Sequence, residues 1–309
     1  MSQNKEIQIV TAFFSIGRQD WNGFMRSDDL YYSYFKGWAK LKNRIVVYTD
    51  KEELKERVLS FRASIGQEER TTVVLIPDIY EIEPDLYRRM QAVSSNHIHS
   101  LSRLLPRNPE VWNASYDYVM LLKMWCCADA VEKGLADGMV AWMDFGFNHG
   151  GSAIDSDSDF NFLWEYDFPE KINLFLIQDL DDRPVFDIIA SMDTYVMGSL
   201  IVAPARLWER FWLLARENMD VLTRVSFIDD DQSIILMCLR EHPELFTTYK
   251  SSWFLPLKQF GGDHLKLKVS SYRPRFNFFR RCLHKMKHLW VCFQYAFRIC
   301  AHMSRIRVH

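Results

Sequence analysis

Residues 138–146 read Gly-Met-Val-Ala-Trp-Met-Asp-Phe-Gly (GMVAWMDFG). The apolar run suits a short strand buried on both faces. It stops at Asp144-Phe145-Gly146, a turn-forming triplet. Upstream, 113–133 predicts a long helix with Val119, Leu122, Cys126 and Ala130 on one face. The same alternation extends to the start of the chain. Strands are expected at 7–14 (IQIVTAFF), 44–49 (RIVVYT) and 72–76 (TVVLI). The first intervening helix is expected to be capped by Asp28 or Asp29, with Leu30, Tyr34, Trp38 and Leu41 on one face. The second opens on Asp50 and Glu53 as a capping box and runs to Ala63, and 84–109 is mostly helical. Strands alternating with helices give an α/β fold with a mostly parallel central sheet and helices on both faces. Ligands of such sheets bind at the carboxyl ends of the strands, and Asp144 stands at one.

Downstream, 171–177 (KINLFLI) and 195–202 (YVMGSLIV) read as strands. Pro204 opens a helix with Leu207, Phe211 and Leu214 turned inward, and 229–240 is a further helix that begins with three aspartates. No repeat or long linker divides the chain. One catalytic unit over 1–270 and a tail over 271–309 are expected.

With 48% hydrophobic and 25% charged residues the composition is ordinary for a globular protein, while aromatics at 15% are high. Aromatic rings fill cores and also stack on sugars and bases. The opening is polar, then strand-like, unlike a secretory signal. The six cysteines contain no C-x-x-C pair, and no apolar run reaches membrane-spanning length. A cytoplasmic protein is expected. Net charge is −2, but nine Lys and Arg and no acid lie between Arg273 and His309, leaving 29 basic against 40 acidic residues elsewhere. If the tail is helical, Phe276, Phe279, Leu283, Met286, Trp290, Phe293 and Phe297 form one stripe. Arg280, Lys285, Lys287, Arg298 and Arg305 lie off it. An aromatic face backed by basic residues suits an anionic membrane surface, here the inner face of the cytoplasmic membrane. Docking on the body of the protein or pairing in a homodimer are the alternatives. The acidic body argues against nucleic acid.

Three groups of residues could carry chemistry. Asp144, just past a buried strand, could meet a cation bound to a diphosphate. The usual device is Asp-x-Asp, and the third position here is Gly146, which also fits a plain turn with positive φ. Asp-Phe-Gly occurs in protein kinases too, but their Gly-rich and His-Arg-Asp loops are missing. Gly198-Ser199 would let a sugar approach the backbone, and Asp229-Asp230-Asp231-Gln232 supplies more carboxylates than capping requires, including a base for an acceptor hydroxyl. His264, after Gly261-Gly262-Asp263, and His149 are competing metal-ligand candidates. Asp155, Asp157 and Asp159 lack the rest of a calcium loop and read as loop solvation.

The combination of TAFFSIGRQDW at 11–21, Tyr34-Phe35-Lys36-Gly37-Trp38 before RIVVYTD, and the long helix leading to WMDFG with His149 resembles the HtrL/YibB family. That family is associated with lipopolysaccharide core and O-antigen gene clusters, and the likeness spans most of 7–270. The wider resemblance is to glycosyltransferases of the GT-A type. It implies Thr11, Phe13 and Arg18 at the nucleotide, and Asp144 at both nucleotide and metal. It further implies Gly198, Ser199 and Gln232 at sugar or acceptor, Asp230 or Asp231 as base, and His264 as a late metal ligand with His149 as the alternative. The implied activity is hexosyl transfer from a nucleotide sugar, a UDP-sugar favoured, to a lipopolysaccharide, O-antigen or other surface glycan. The implied cofactor is Mn²⁺ or Mg²⁺, which Gly146 puts in question. A non-catalytic nucleotide-sugar-binding or regulatory protein is the first rival. A nucleotidyltransferase is the second, disfavoured because 15–22 holds one glycine and no lysine.

Overall fold

The computed structural model describes residues 6–268 and, in the tail, Met286, Leu289, Trp290, Phe293, 296–298, Cys300 and Ala301. Seven strands form one sheet: β1 (Ile7–Phe13), β2 (Ile45–Thr49), β3 (Thr71–Leu75), β4 (Met139–Met143), β5 (Ile172–Leu176), β6 (Leu200–Pro204) and β7 (Phe246–Lys250). Their order is β3-β2-β1-β4-β6-β5-β7. β6 runs antiparallel to both of its neighbours, and the other pairings are parallel.

Side chains alternate across the sheet with period two. Ile7, Ile9, Ile45, Val47, Ala141 and Met143 join one apolar cluster, completed by Phe35 and Trp38 of α1 (Asp28–Trp38) and by Leu54 and Val58 of α2 (Glu52–Ser64). Val10, Val46, Tyr48, Val140 and Trp142 face the other way. They join a cluster with α3 (Pro84–Ser94), α6 (Ala114–Glu132) and α7 (Val185–Ser191), with the short α4 (His97–Leu101) and α5 (Pro109–Trp112) between α3 and α6 in the chain. α8 (Ala205–Arg224), α9 (Asp231–Glu241) and the short α10 (Pro256–Gln259) follow. The long amphipathic α8 packs on α6, and α6 crosses the ends of β1 and β4. The α/β class, the dominant parallel pairing and helices on both faces agree with the sequence reading.

Local details differ from it. Ser27, not Asp28 or Asp29, caps α1, its side chain accepting from the Leu30 amide, and Leu30 is exposed while Phe35 is buried. Asp50 does not cap α2, which starts without a side-chain cap. Its two carboxylate oxygens instead each lie 3.1 Å from the Ser15 amide, tying the exit of β1 to the exit of β2. The strand expected at 195–202 begins only at Leu200, so Gly198 and Ser199 form the turn into it. β7 and α7 have no counterpart in the sequence reading.

Among the described residues no helix is long and apolar enough to cross a membrane. Of the tail stripe, Met286, Trp290, Phe293 and Phe297 are helical and exposed, joined by Leu289. Phe276, Phe279, Leu283 and most of the basic positions lie outside the described residues.

Candidate active site

A cavity of about 600 Å³ opens at the carboxyl ends of β1 and β4, where the turn into β6 and the start of α9 converge. That volume is in the range of small-molecule and cofactor sites. The reversed β6 makes the convergence possible. Because it runs against β4, its first residues lie beside the last residue of β4, and the Asp144 amide donates to Ser199 O at 3.0 Å.

The floor is polar and tightly paired. Lys123 is the single charge in the apolar stretch 119–127 of α6 and is 3% exposed. Its ammonium lies 3.0 Å from Asp144 Oδ1 and 2.9 Å from Asp231 Oδ2, and donates to Gly198 O at 3.2 Å. Three acceptors match the three protons of an ammonium. Trp142 Nε1 also donates to Asp144 Oδ1, at 2.8 Å. Burial pulls the Lys123 pKa down, but Asp144 and Asp231 outweigh it and hold the group above its ordinary value. Burial raises Asp231, against the lowering effect of Lys123. Gly198 is required sterically: a Cβ there would stand 1.8 Å from Asp231 Oδ2.

The mouth is cationic and aromatic. Gly17, at φ 70°, turns the chain after β1 and delivers Arg18. The Arg18 guanidinium lies over the rings of Trp21, Tyr31 and Tyr116 at 5.4–5.7 Å. Arg26 lies 5.9 Å from the Tyr31 ring and 3.4 Å from His149 Nε2. Neither arginine has a carboxylate within ion-pair distance among the described residues. Asp28, also on the wall, is neutralised by Lys51 at 2.6 Å. The loop after β4 holds Asn148 and His149 at positive φ. Asn148 latches it by accepting from the Ala153 and Ile154 amides and donating to Ile154 O. His149 is wedged between Tyr34 and Phe254, and burial, reinforced by Arg26, lowers its pKa.

Of the residues nominated from sequence, Phe13, Arg18, Asp144, His149, Gly198, Ser199, Asp231 and Gln232 border this one cavity. Thr11 does not; it is fully buried in β1 and its hydroxyl has no hydrogen-bond partner. The three aspartates have separate tasks. Asp229 pairs with Arg103 at 3.0 Å, Asp230 caps α9 through the Gln232 amide, and Asp231 reaches the cavity. His264 lies elsewhere, edge-on to Phe162 with Nε2 3.1 Å from Asp159 O. Lys123, Arg26 and the aromatic walls Tyr31, Tyr116 and Trp253 are new to the site. The lone lysine among apolar residues was the available signal.

Among the described residues no three His, Cys, Asp or Glu side chains converge to hold a metal. Gly146 has φ −89°, so its glycine answers to sterics and not to a left-handed turn. A Cβ there would lie 3.1 Å from the Tyr31 ring, which covers the position of the second aspartate in Asp-x-Asp. Asp144 already accepts from Lys123 and Trp142, so among the described residues the acids of the floor suit an ammonium better than a divalent cation.

The family model described as "Bacterial protein of unknown function (HtrL_YibB)" matches residues 5–262. The chain belongs to the HtrL/YibB family. The span matched by the HtrL/YibB model includes every residue of the cavity and leaves out His264 and the tail. Another HtrL/YibB relative, Protein HtrL of Escherichia coli (strain K12), is 31% identical over 284 residues, covering 86% of this chain and 96% of its own. Among solved structures, the PaToxG glycosyltransferase aligns with 77% of this chain and 71% of its own, at 11% identity and a TM-score of 0.35.

Proposed function

We propose that this HtrL/YibB protein is a glycosyltransferase that moves a hexose from a nucleotide sugar, a UDP-sugar favoured, to a hydroxyl of a lipopolysaccharide, O-antigen or other surface glycan. The observation that carries the reading is the cavity itself. It combines two arginines without carboxylate partners among the described residues and aromatic walls at its mouth with paired carboxylates at its floor, at the carboxyl ends of parallel strands of the sheet. The arginines suit a diphosphate through charge-assisted hydrogen bonds, and the rings suit a base or a sugar. The acceptor class rests on the family's association with surface-polysaccharide gene clusters.

In the reaction the bond between the sugar C1 and the diphosphate oxygen breaks, its electron pair going to the diphosphate. The acceptor oxygen bonds to C1. Arg18 and Arg26 take the charge that develops on the leaving group. Of the two aspartates at the start of α9, Asp231 borders the cavity and is the one able to accept the hydroxyl proton if configuration inverts. If configuration is retained, the proton goes to the leaving phosphate and Asp231 orients the acceptor. A docked tail on an anionic membrane, through the exposed aromatic stripe, would hold the cavity near lipid-linked acceptors.

The test is thermal unfolding against a panel of nucleotides and nucleotide sugars, followed by a turnover assay with the donor that binds best. Ligand at about 100-fold its Kd adds roughly 2.7 kcal/mol, a readable shift. Binding followed by sugar release or transfer that is lost in Asp231→Asn supports the reading. Binding without turnover would leave a nucleotide-sugar-binding protein instead.

A further inference from the structure

The geometry points to Lys123 as the resident cation of the site, standing between Asp144 and Asp231 where it offsets their charge, so that anionic nucleotide binds without metal. The nucleotide part rests on the reading above.

Two carboxylates at the base of a diphosphate pocket are a liability unless a cation cancels them. A divalent ion held by oxygen ligands at about 2.0–2.2 Å does this in metal-dependent sites. Here the separations of 2.9–3.2 Å are those of an ammonium donating hydrogen bonds. All three of its protons have acceptors, and it reaches them from a rigid, buried helix turn. The position is therefore filled covalently. A metal entering it would have to expel a buried ammonium from its three partners.

Two further features point the same way. The ring of Tyr31 covers Gly146, so no second carboxylate projects from the loop after β4. His264 is turned to Asp159 O, away from the cavity, and His149 is wedged between two rings beside Arg26. The charge count is consistent. Lys123, Arg18 and Arg26 face Asp144 and Asp231, three cations against two anions. Without Lys123 the pocket would present no net positive charge to a diphosphate. The labour is divided: Lys123 offsets the charge of the carboxylates, and Arg18 and Arg26 face the ligand.

Two measurements on the full chain test this. In the first, Mn²⁺ alone is titrated against the wild type and followed by electron paramagnetic resonance of the free ion. The expected result is no site that depends on Asp144. Stoichiometric Mn²⁺ binding that disappears in Asp144→Asn would overturn the proposal, whatever happens with nucleotides. In the second, the affinity for UDP is measured with Mn²⁺ and with EDTA. Agreement within about twofold is expected, whereas a metal-bridged diphosphate would lose about 100-fold. UDP binding that requires Mn²⁺ would overturn the role of Lys123 while leaving the nucleotide reading intact. If UDP does not bind at all, that reading fails and the Mn²⁺ titration still decides the cation. Lys123→Ala supplies a readout that a merely structural role would not move. It frees both carboxylates, and its UDP affinity is expected to fall with EDTA and recover with Mn²⁺. Should that variant fail to fold, the two wild-type measurements stand without it.

Discussion

The carboxylate of Asp231 occupies the space that a side chain on Gly198 would need, with Oδ2 1.8 Å from the ideal Cβ position. The backbone carbonyl of the same glycine accepts from Lys123. Gly198→Ala must therefore push Asp231 off Lys123, leaving Lys123 to Asp144 and stranding the buried Asp231 carboxylate without its cation. Breaking a buried ion pair costs about 3–5 kcal/mol. Urea unfolding should show a loss of that order. A variant as stable as the wild type would mean that Asp231 has a second place to go and that the floor is not fixed.

Arg18 and Arg26 lack carboxylate partners among the described residues, so removing either should cost ligand binding and little stability. Charged hydrogen bonds contribute about 1.5–3 kcal/mol each, so Arg18→Ala or Arg26→Ala should weaken nucleoside diphosphate binding by about tenfold to a hundredfold. Isothermal titration would read this, and the weakening should be smaller for the uncharged nucleoside. Equal losses for both ligands would remove the diphosphate from this end of the cavity.

His99 gives the fold an acid sensitivity of its own. It is buried in α4, edge-on to Phe227. Burial, with Arg103 adding, pushes its pKa from 6.5 down to about 4. Below about pH 6.5 the unfolded chain takes up a proton that the native imidazole refuses. The stability contribution is thus complete above that value and declines as the pH falls toward 4. The full shift corresponds to about 3 kcal/mol. His99→Leu should make the fall in Tm between about pH 7 and pH 5 shallower than in the wild type. An unchanged pH profile would assign acid lability to other groups.

The tail presents Met286, Leu289, Trp290, Phe293 and Phe297 at 60–69% exposure, in a segment whose sequence carries nine basic residues and no acid. The full chain should co-sediment with vesicles containing anionic lipid and come off as salt is raised, since screening weakens the basic contribution. A variant ending at residue 270 should stay in solution with its thermal unfolding unchanged. Co-sedimentation of that variant would move the membrane contact to the body of the protein.

The sheet was legible where pattern and burial coincide. The apolar runs of β1, β2 and β4 read as strands covered on both faces and are buried as such, while β3, half-buried at the sheet edge, was legible from its β-branched residues. β7 was not legible, because Phe-Thr-Thr-Tyr-Lys lies at the sheet edge, buried only at Phe246 and then alternating between half-buried and exposed positions. β6 was placed too early: Tyr195 to Met197 are buried and bridge to β5, but the turn at Gly198 and Ser199 interrupts the run before β6 begins at Leu200. The polar ends of elements were legible as chemistry but not as partners. Nothing local in Asp-Asp-Asp-Gln says that Asp229 turns to Arg103, Asp230 to its own helix and Asp231 to Lys123. Two of those assignments depend on Arg103, just after α4, and Lys123 of α6 arriving from more than a hundred residues earlier in the chain.

Reversal of β6 has a consequence for how such a cavity can diversify. It sets Asp144 and Ser199 side by side through one backbone hydrogen bond, although the chain wanders through β5 and α7 between them. The loops along that detour can change length and sequence while the two anchored backbones keep their spacing. The charged floor can then be inherited unchanged as the rim is rebuilt, a separation of invariant chemistry from negotiable shape.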